Sequence, residues 1–294
     1  MRRFLLAAMM FGAASGAQAA DMPDFLRGSI PPTTLSTVSR NWEGWYAGGQ
    51  VGYSSADMDF SHSVRSLTNF IERNSVLQAP LADWAVLSKN HAQAFGFGAF
   101  VGRNWQWEDL VFGLEANYNY MSSLQSASIN SLTRLIINPP GENPPAGHTH
   151  TYVTTLSGNA GLQLKDVATF RGRAGWATGD ALPYVFGGLA VGRVDVSRAV
   201  TVSFDKFDDF DTTQTVNGVT TTTHSTVFLG SSSQSAQERR SNSFVAGWVA
   251  GLGMDYMLWR NLFLRGEWEY VRFVSVKDIS FSTNNLRAGI GYKF

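Results

Sequence analysis

The 294-residue chain contains no cysteine. Neither disulfides nor thiolate metal sites can hold this fold together. Net charge is also missing, because 23 Lys and Arg balance 23 Asp and Glu. A nucleic-acid partner is therefore excluded as the principal one, since neutralising phosphates requires a basic face. Proline is scarce, with 9 residues against 29 glycines. No apolar run reaches the ~20 residues that a membrane-spanning helix needs. GxGxxG is absent too: Gly96-Phe97-Gly98 and Gly251-Leu252-Gly253 do not complete it, so no dinucleotide fingerprint exists.

The N-terminus reads as an export signal. Arg2 and Arg3 precede an apolar run from Phe4 to Ala14, then the small-x-small triplet Ala17-Gln18-Ala19. We expect a signal peptide over 1–19, cleaved after Ala19, and a flexible periplasmic lead-in over 20–41 containing Pro23, Pro31 and Pro32. The barrel domain is expected over 42–294, because an exported chain without a helical span can cross a membrane only as a closed β-barrel.

From Trp42 onward the pattern fits that expectation. Eight segments alternate apolar with Gly or polar residues: 44–53, 93–104, 110–120, 167–177, 183–194, 243–256, 262–273 and 284–294. Each approaches the ~9–11 residues of a tilted transmembrane strand. Their connections alternate in length. Short turns at 105–109, 178–182 and 257–261 are interleaved with long polar stretches at 54–92, 121–166 and 195–242, plus a shorter one at 274–283. This pattern specifies an all-β, eight-stranded antiparallel transmembrane β-barrel with short periplasmic turns and long extracellular loops. Both termini are then periplasmic. The stretch 195–242, nearly all Ser, Thr, Gln and Asn beyond Thr212, reads as a mobile, solvated flap.

The alternation has a chemical sense. Phe170, Ala174 and Trp176 oppose Arg171 and Arg173, while Leu264, Trp268 and Tyr270 oppose Arg265, Glu267 and Glu269. Phe112, Leu114, Ala116, Tyr118 and Tyr120 oppose Glu115, and Leu286, Ala288, Ile290, Tyr292 and Phe294 oppose Arg287. Apolar faces should meet lipid and charged faces should fill the lumen. Eight strands leave an interior that side chains can fill. Glu115, Arg171, Arg173, Arg265, Glu267, Glu269 and Arg287 are therefore expected to form a structural network of ion pairs rather than line a pore. The segment 183–194 is ambiguous, with Tyr184 and Phe186 on one face and Val185, Leu189 and Val191 on the other. Arg103 falls on the lipid face, where it would have to snorkel. Aromatic girdles are expected from Trp42, Trp45, Trp105, Trp107, Trp176, Tyr184, Tyr256 and Trp259 near the short turns, and from Tyr53, Tyr118, Tyr120, Tyr270 and Phe273 at the other rim.

Catalytic and metal residues are not evident. Ser61-His62-Ser63 and His224-Ser225 lack a G-x-S-x-G context and an evident orienting carboxylate, so no enzymatic activity is expected. His148 and His150 sit one residue apart and share a face of an extended chain, which makes them candidate ligands for haemin iron or a metal. Leu135, Ile136 and Ile137 could supply the apolar wall haem requires.

The opening segment Trp42-Glu43-Gly44-Trp45-Tyr46-Ala47-Gly48-Gly49 resembles the first strand of the small porin-family outer-membrane proteins of rhizobial and Brucella-like bacteria. So do Phe170-Arg171-Gly172-Arg173-Ala174-Gly175-Trp176, Leu264-Arg265-Gly266-Glu267-Trp268 and the final Leu286-Arg287-Ala288-Gly289-Ile290-Gly291-Tyr292-Lys293-Phe294. The resemblance implies an eight-stranded barrel of the outer membrane and a surface antigen that contributes to envelope integrity. It implies as partners outer-membrane lipid, lipopolysaccharide and the barrel assembly machinery, which reads a terminal aromatic signal such as Tyr292 and Phe294. Loop-mediated haemin or metal capture is the alternative function, to which haemin binding among relatives lends weight, and a narrow solute channel comes third.

Overall fold

The computed structural model describes residues 40–294, so the signal-peptide and most of the lead-in assignments lie outside the described residues. Eight antiparallel strands close into one barrel, each paired with its sequence neighbours and the last with the first. They are β1 (Gly44–Asp59), β2 (Lys89–Trp107), β3 (Leu110–Ile137), β4 (His148–Trp176), β5 (Ala181–Val216), β6 (Val219–Met257), β7 (Leu262–Phe273) and β8 (Ser280–Lys293). Between β1 and β2 lie two short helices, α1 (Arg65–Ile71) and α2 (Gln78–Leu81). Closure leaves the tube without an exposed edge, as lipid requires.

All eight sequence-derived segments fall on strands, with Ala177 and Phe294 just past the ends of β4 and β8, but the long connections differ from expectation. Most of 121–166 and 195–242 is not loop but strand, continuing the β3–β4 and β5–β6 ladders out to Ile137↔Thr151 and Val216↔Val219. The supposed flap is a paired hairpin. Its Thr-rich composition favours extended backbone, and Asn217-Gly218 at its tip, both with positive φ, is the dipeptide that a two-residue hairpin turn demands. The stretch 54–92 likewise contains the last residues of β1, both helices and the start of β2.

The molecule therefore has two parts, a closed tube and a four-stranded sheet, β3-β4-β5-β6, that rises from one rim. Register shifts mark the transition at one level, between Tyr120 and Leu124, between Leu164 and Asp166, and between Val194 and Val196. The irregular residues on β4 and β6 converge on Asp195 of β5: Lys165 Nζ lies 2.8 Å from its carboxylate, and Asn242 donates its backbone N–H to Oδ1 at 2.7 Å. A bulge displaces the alternation by one residue. On β4 the even-numbered Phe170 faces lipid, whereas the even-numbered Leu164, Leu162 and Leu156 above the bulge face inward and are buried. The same reversal occurs on β3 and β6. Below the bulges most outward positions are apolar, and above them the main apolar row points in.

The inward side of the upper sheet packs against the helical connection. Phe60, Val64, Leu77, Leu81, Val86 and Leu87 join Leu124, Leu156, Leu162, Val196, Val200 and Val202 in one buried core. Gly158 lies against the connection: a Cβ at this position would touch Val64 and Leu87 at 3.4 Å. Arg198, almost fully buried, fastens the connection. It donates at 2.8 Å to Ser63 O and to Ser66 Oγ, and at 2.6 Å to Glu238 Oε2. Lys277 Nζ reaches Glu238 from the β7–β8 connection at 2.6 Å. These hydrogen bonds, with a smaller opposing effect of burial, hold the Glu238 carboxyl at about 2. The rim thus carries a lid of conventional protein interior.

A candidate site in the lumen, and the family

All seven lumen charges named from the sequence meet inside the tube. Alternation turns each inward, and the strand registers set their heights, with Glu115 opposite Arg171 and Glu267 opposite Arg287. Arg171 is central. Its guanidinium donates to Glu115 Oε1 at 2.5 Å, to Glu267 Oε1 at 2.6 Å and to Glu269 Oε2 at 3.2 Å. Arg265 bonds Glu115 Oε2 at 2.8 Å, and Arg287 pairs with both oxygens of Glu269.

Sequence reasoning left one member out of the network. Asp255 accepts from Arg173 at 2.7 Å and from Arg265 at 2.9 Å. Its place opposite the lipid-facing Met254 and Tyr256 was the available signal. With it the network holds four guanidinium groups (Arg171, Arg173, Arg265, Arg287) and four carboxylates (Glu115, Asp255, Glu267, Glu269), all buried. The formal charge is zero. Charges removed from water in this way are tolerable only when paired and fully hydrogen-bonded.

Aromatic rings complete the packing and correct the girdle assignment. Tyr184 does not sit in a girdle. It lies inside, donating its OH to Glu267 at 2.6 Å, with the Arg173 guanidinium 3.8 Å above its ring. Phe186 lies under Arg171 at 4.0 Å and Phe100 under Arg265 at 3.9 Å. This is cation–π geometry inside a desolvated site. It also settles the ambiguous strand 183–194, whose even-numbered face lines the lumen and whose Val185, Leu189 and Val191 meet lipid. Trp42 is likewise internal, packing edge-on against Phe263 at the turn end. Phe273 turns inward at the opposite rim and stacks on Phe281. The other named aromatics of the tube, such as Trp45, Trp105, Trp176, Tyr118 and Tyr270, do project from it. Arg103 lies on the outside between Trp45 and Trp105, 5.8 and 5.2 Å from their rings.

The tube is filled along its length. Trp42, Phe263, Val111, Leu182 and Met257 close the turn end, and the charged belt follows. Next comes an amide layer in which Gln50 donates to Asn117 at 2.9 Å and to Asn119 at 2.5 Å. Above it Met121, Phe273 and Phe281 lead into the lid core. No set of three or more potential metal ligands occurs among the described residues.

His148 and His150 are residues of β4 rather than of a loop. His148 Nδ1 meets Asp208 Oδ2 at 2.8 Å and His150 Nδ1 meets Glu142 Oε1 at 2.5 Å. Burial would raise the Glu142 carboxyl, but hydrogen bonds from Lys206, Tyr152 and His150 outweigh it and bring it to about 2. Leu135 and Ile137 lie exposed on the outward face of the sheet, whereas Ile136 packs inward against the core. The structure therefore does not assemble the wall Leu135-Ile136-Ile137 around these histidines. His224 does have an orienting carboxylate, Asp211 at 2.9 Å, but Ser225, its chain neighbour on a strand, points to the opposite face.

A ring of eight antiparallel strands with apolar exterior and charged interior is the architecture of outer-membrane proteins. The sequence matches the "Outer membrane protein beta-barrel domain" family over residues 4–294. This chain belongs to that family. Among curated relatives, the 31 kDa outer-membrane immunogenic protein of Brucella melitensis is 25% identical over 307 aligned positions that cover all of both chains. The 25 kDa outer-membrane immunogenic protein of Brucella ovis is 21% identical, covering 90% of this chain and 84% of the relative. Among solved structures, Neisserial surface protein A matches at 13% identity and a TM-score of 0.34, covering 85% of this chain and 97% of that one. Ail of Yersinia pestis matches at 11% and 0.30, covering 86% and 99%. The chain is an outer-membrane β-barrel protein, related over its full length to an outer-membrane immunogenic protein.

Proposed function

We propose that this chain is a sealed, non-conducting anchor that holds a lidded β-sheet outside the outer membrane and contributes to envelope integrity, its exposed sheet and hairpin making the external contacts. The charge-balanced belt carries this reading. Every guanidinium there is committed to a carboxylate, and rings occupy the remaining space, so a permeating ion would have to break buried pairs. The termini face the periplasm, because short turns lie at their end and the long hairpins at the other. From Asp195 to Val216 the β5 arm runs on the order of 70 Å at ~3.3 Å per residue. That is more than the ~40–45 Å thickness of a bilayer with its headgroups, so the tip stands clear of the lipid. At the periplasmic end Tyr292 and Phe294 face outward with ring centres 5.3 Å apart, open to an assembly factor before lipid covers them.

Single-channel recording of refolded protein in planar bilayers tests the proposal. A silent membrane after verified insertion is expected. Stepwise, ion-selective conductance that follows substitutions at Glu267 or Arg171 would refute it.

A further inference from the structure

A closed tube has no edges, but the sheet above it has two. The β3 ladder with β2 stops at Gly96↔Met121. Beyond that point residues before and at the start of β2 accompany β3 as far as Arg134: Asn90 donates to Ala127 O, Ser88 donates its backbone N–H to Ser128 Oγ, Asn130 donates to Val86 O, and the Arg134 guanidinium lies 5.4 Å from the Trp84 ring. From Ser131 to Ile137, β3 pairs with β4 on one side and, among the described residues, with nothing on the other. On the far side of the sheet, β6 pairs with β7 only between Gly247 and Met257, which among the described residues leaves Val219 to Gln237 paired with β5 alone.

Natural proteins guard such edges with charges, prolines or coverage. Charge and proline are nearly absent from these edges. Val219 to Gln237 contains no Asp, Glu, Lys, Arg or Pro, and Ser122 to Ile137 contains one charge, Arg134. One bulge, at Gly230, interrupts the β6 edge. Exposed apolar side chains accompany both edges: Leu135 and Ile137 on β3, Val227, Phe228 and Leu229 on β6.

We propose that these edges join copies of this chain side by side, the β3 edge of one sheet pairing antiparallel with the β6 edge of the next. The membrane makes a second copy the matching occupant. Every copy is inserted in the same orientation, so its β3 rises and its neighbour's β6 descends past the same rim, which is the antiparallel relation. Confinement to a plane also raises the effective concentration of one edge near another. Because the two edges differ, the contact is heterologous and propagates into rows or rings rather than stopping at a two-fold dimer. Charge-free Ser and Thr rows let the backbones meet without like charges opposed.

The absence of cysteine makes the test direct. Thr133 and Ser233 are exposed, outward-facing and in one row across the sheet, through Thr133↔Thr155, Thr155↔Ser203 and Ser203↔Ser233. Full-length T133C, S233C and the double variant are reconstituted alone in proteoliposomes and treated with a short bis-maleimide, with heat-shifted gel mobility verifying the fold. We expect a ladder of dimers, trimers and larger species from the double variant, at most random dimers from each single one, and loss of the ladder when Leu135→Lys and Ile137→Lys are added. A folded double variant yielding no more than the single variants overturns the proposal. So does a ladder that the two lysines leave intact. Cross-linking seen in native membranes but absent from proteoliposomes also overturns it, by assigning the edges to a different protein.

Discussion

Replacing Glu267 with Gln perturbs the belt with the least change of shape. The Glu267 carboxylate accepts two hydrogen bonds from Arg171 Nη2, at 2.6 and 2.7 Å, and one from Tyr184 at 2.6 Å. An amide oxygen can still accept from Arg171. Tyr184 can turn its proton wholly to Asp255, which already lies 3.2 Å away. Most hydrogen bonds therefore survive, and what is lost is charge. Four guanidinium groups would face three carboxylates in a space closed to counterions. Breaking one partner of a buried pair costs ~3–5 kcal/mol, and the surviving hydrogen bonds put this variant near the lower end, at ~3 kcal/mol. If the same pair lined a water-filled pore, the loss would be ~0–1 kcal/mol, as for exposed ion pairs. Urea unfolding in lipid vesicles, followed by Trp fluorescence and heat-shifted mobility, separates the two cases. With a slope of ~1–3 kcal/mol per molar, the midpoint should fall by about 1 M or more. An unchanged midpoint with wild-type slope would refute the buried-belt reasoning. Adding Arg171→Gln should recover little, because Arg171 also serves Glu115 and Glu269.

Arg198→Met should release the helical connection from the lid while leaving the tube intact, so proteolysis between Ser61 and Ser88 should accelerate without loss of heat-shifted mobility. Acid should loosen the same lid. Glu142 and Glu238 titrate lower when folded than the ordinary 4.5, so their contribution is complete above pH ~4.5 and fades as pH falls toward ~2; hydrogen exchange in the upper sheet should rise across that window. Deleting Phe294 removes one outward ring worth ~1.5–3 kcal/mol by transfer, yet unassembled precursor should accumulate in the periplasm, and normal surface levels would refute a signalling role. Haemin titrated into wild type and a His148→Ala, His150→Ala variant should give matching Soret spectra, since the His148 ring stacks on Phe210 and the His150 side chain is largely buried; a shift that only the wild type shows would point to haemin capture.

The tube was legible because lipid and a packed lumen impose opposite demands on alternate residues. Phe170 beside Arg171 and Trp268 beside Glu267 state the period of two directly. Tyr184 and Phe186 were harder to place, since a lumen full of guanidinium groups uses rings as walls and both faces of that strand become apolar. Asp255 was readable by parity but lacked a neighbouring charge on its own strand to mark it as part of a network. The upper sheet was missed for a different reason. Its outward face of Ser, Thr and Gln looks like loop composition to a search for lipid-facing residues. The inward Leu156, Leu162, Val196 and Val200 nevertheless keep the period, and Asn217-Gly218 announces a tight hairpin.

The bulges at Lys165 and Asn242 and the irregularity between Tyr120 and Leu124 change the phase of β4, β6 and β3 at the rim, while β5 carries one phase through both halves. Residues added in pairs above the rim lengthen the arm without re-aiming a side chain in the tube. The register of the tube is thus set apart from the length of the arm. Variation in length and sequence can then accumulate on the exposed arm at little cost to insertion. The same isolation lets foreign segments be spliced at Asn217-Gly218, making the barrel a carrier whose displayed part is free to change.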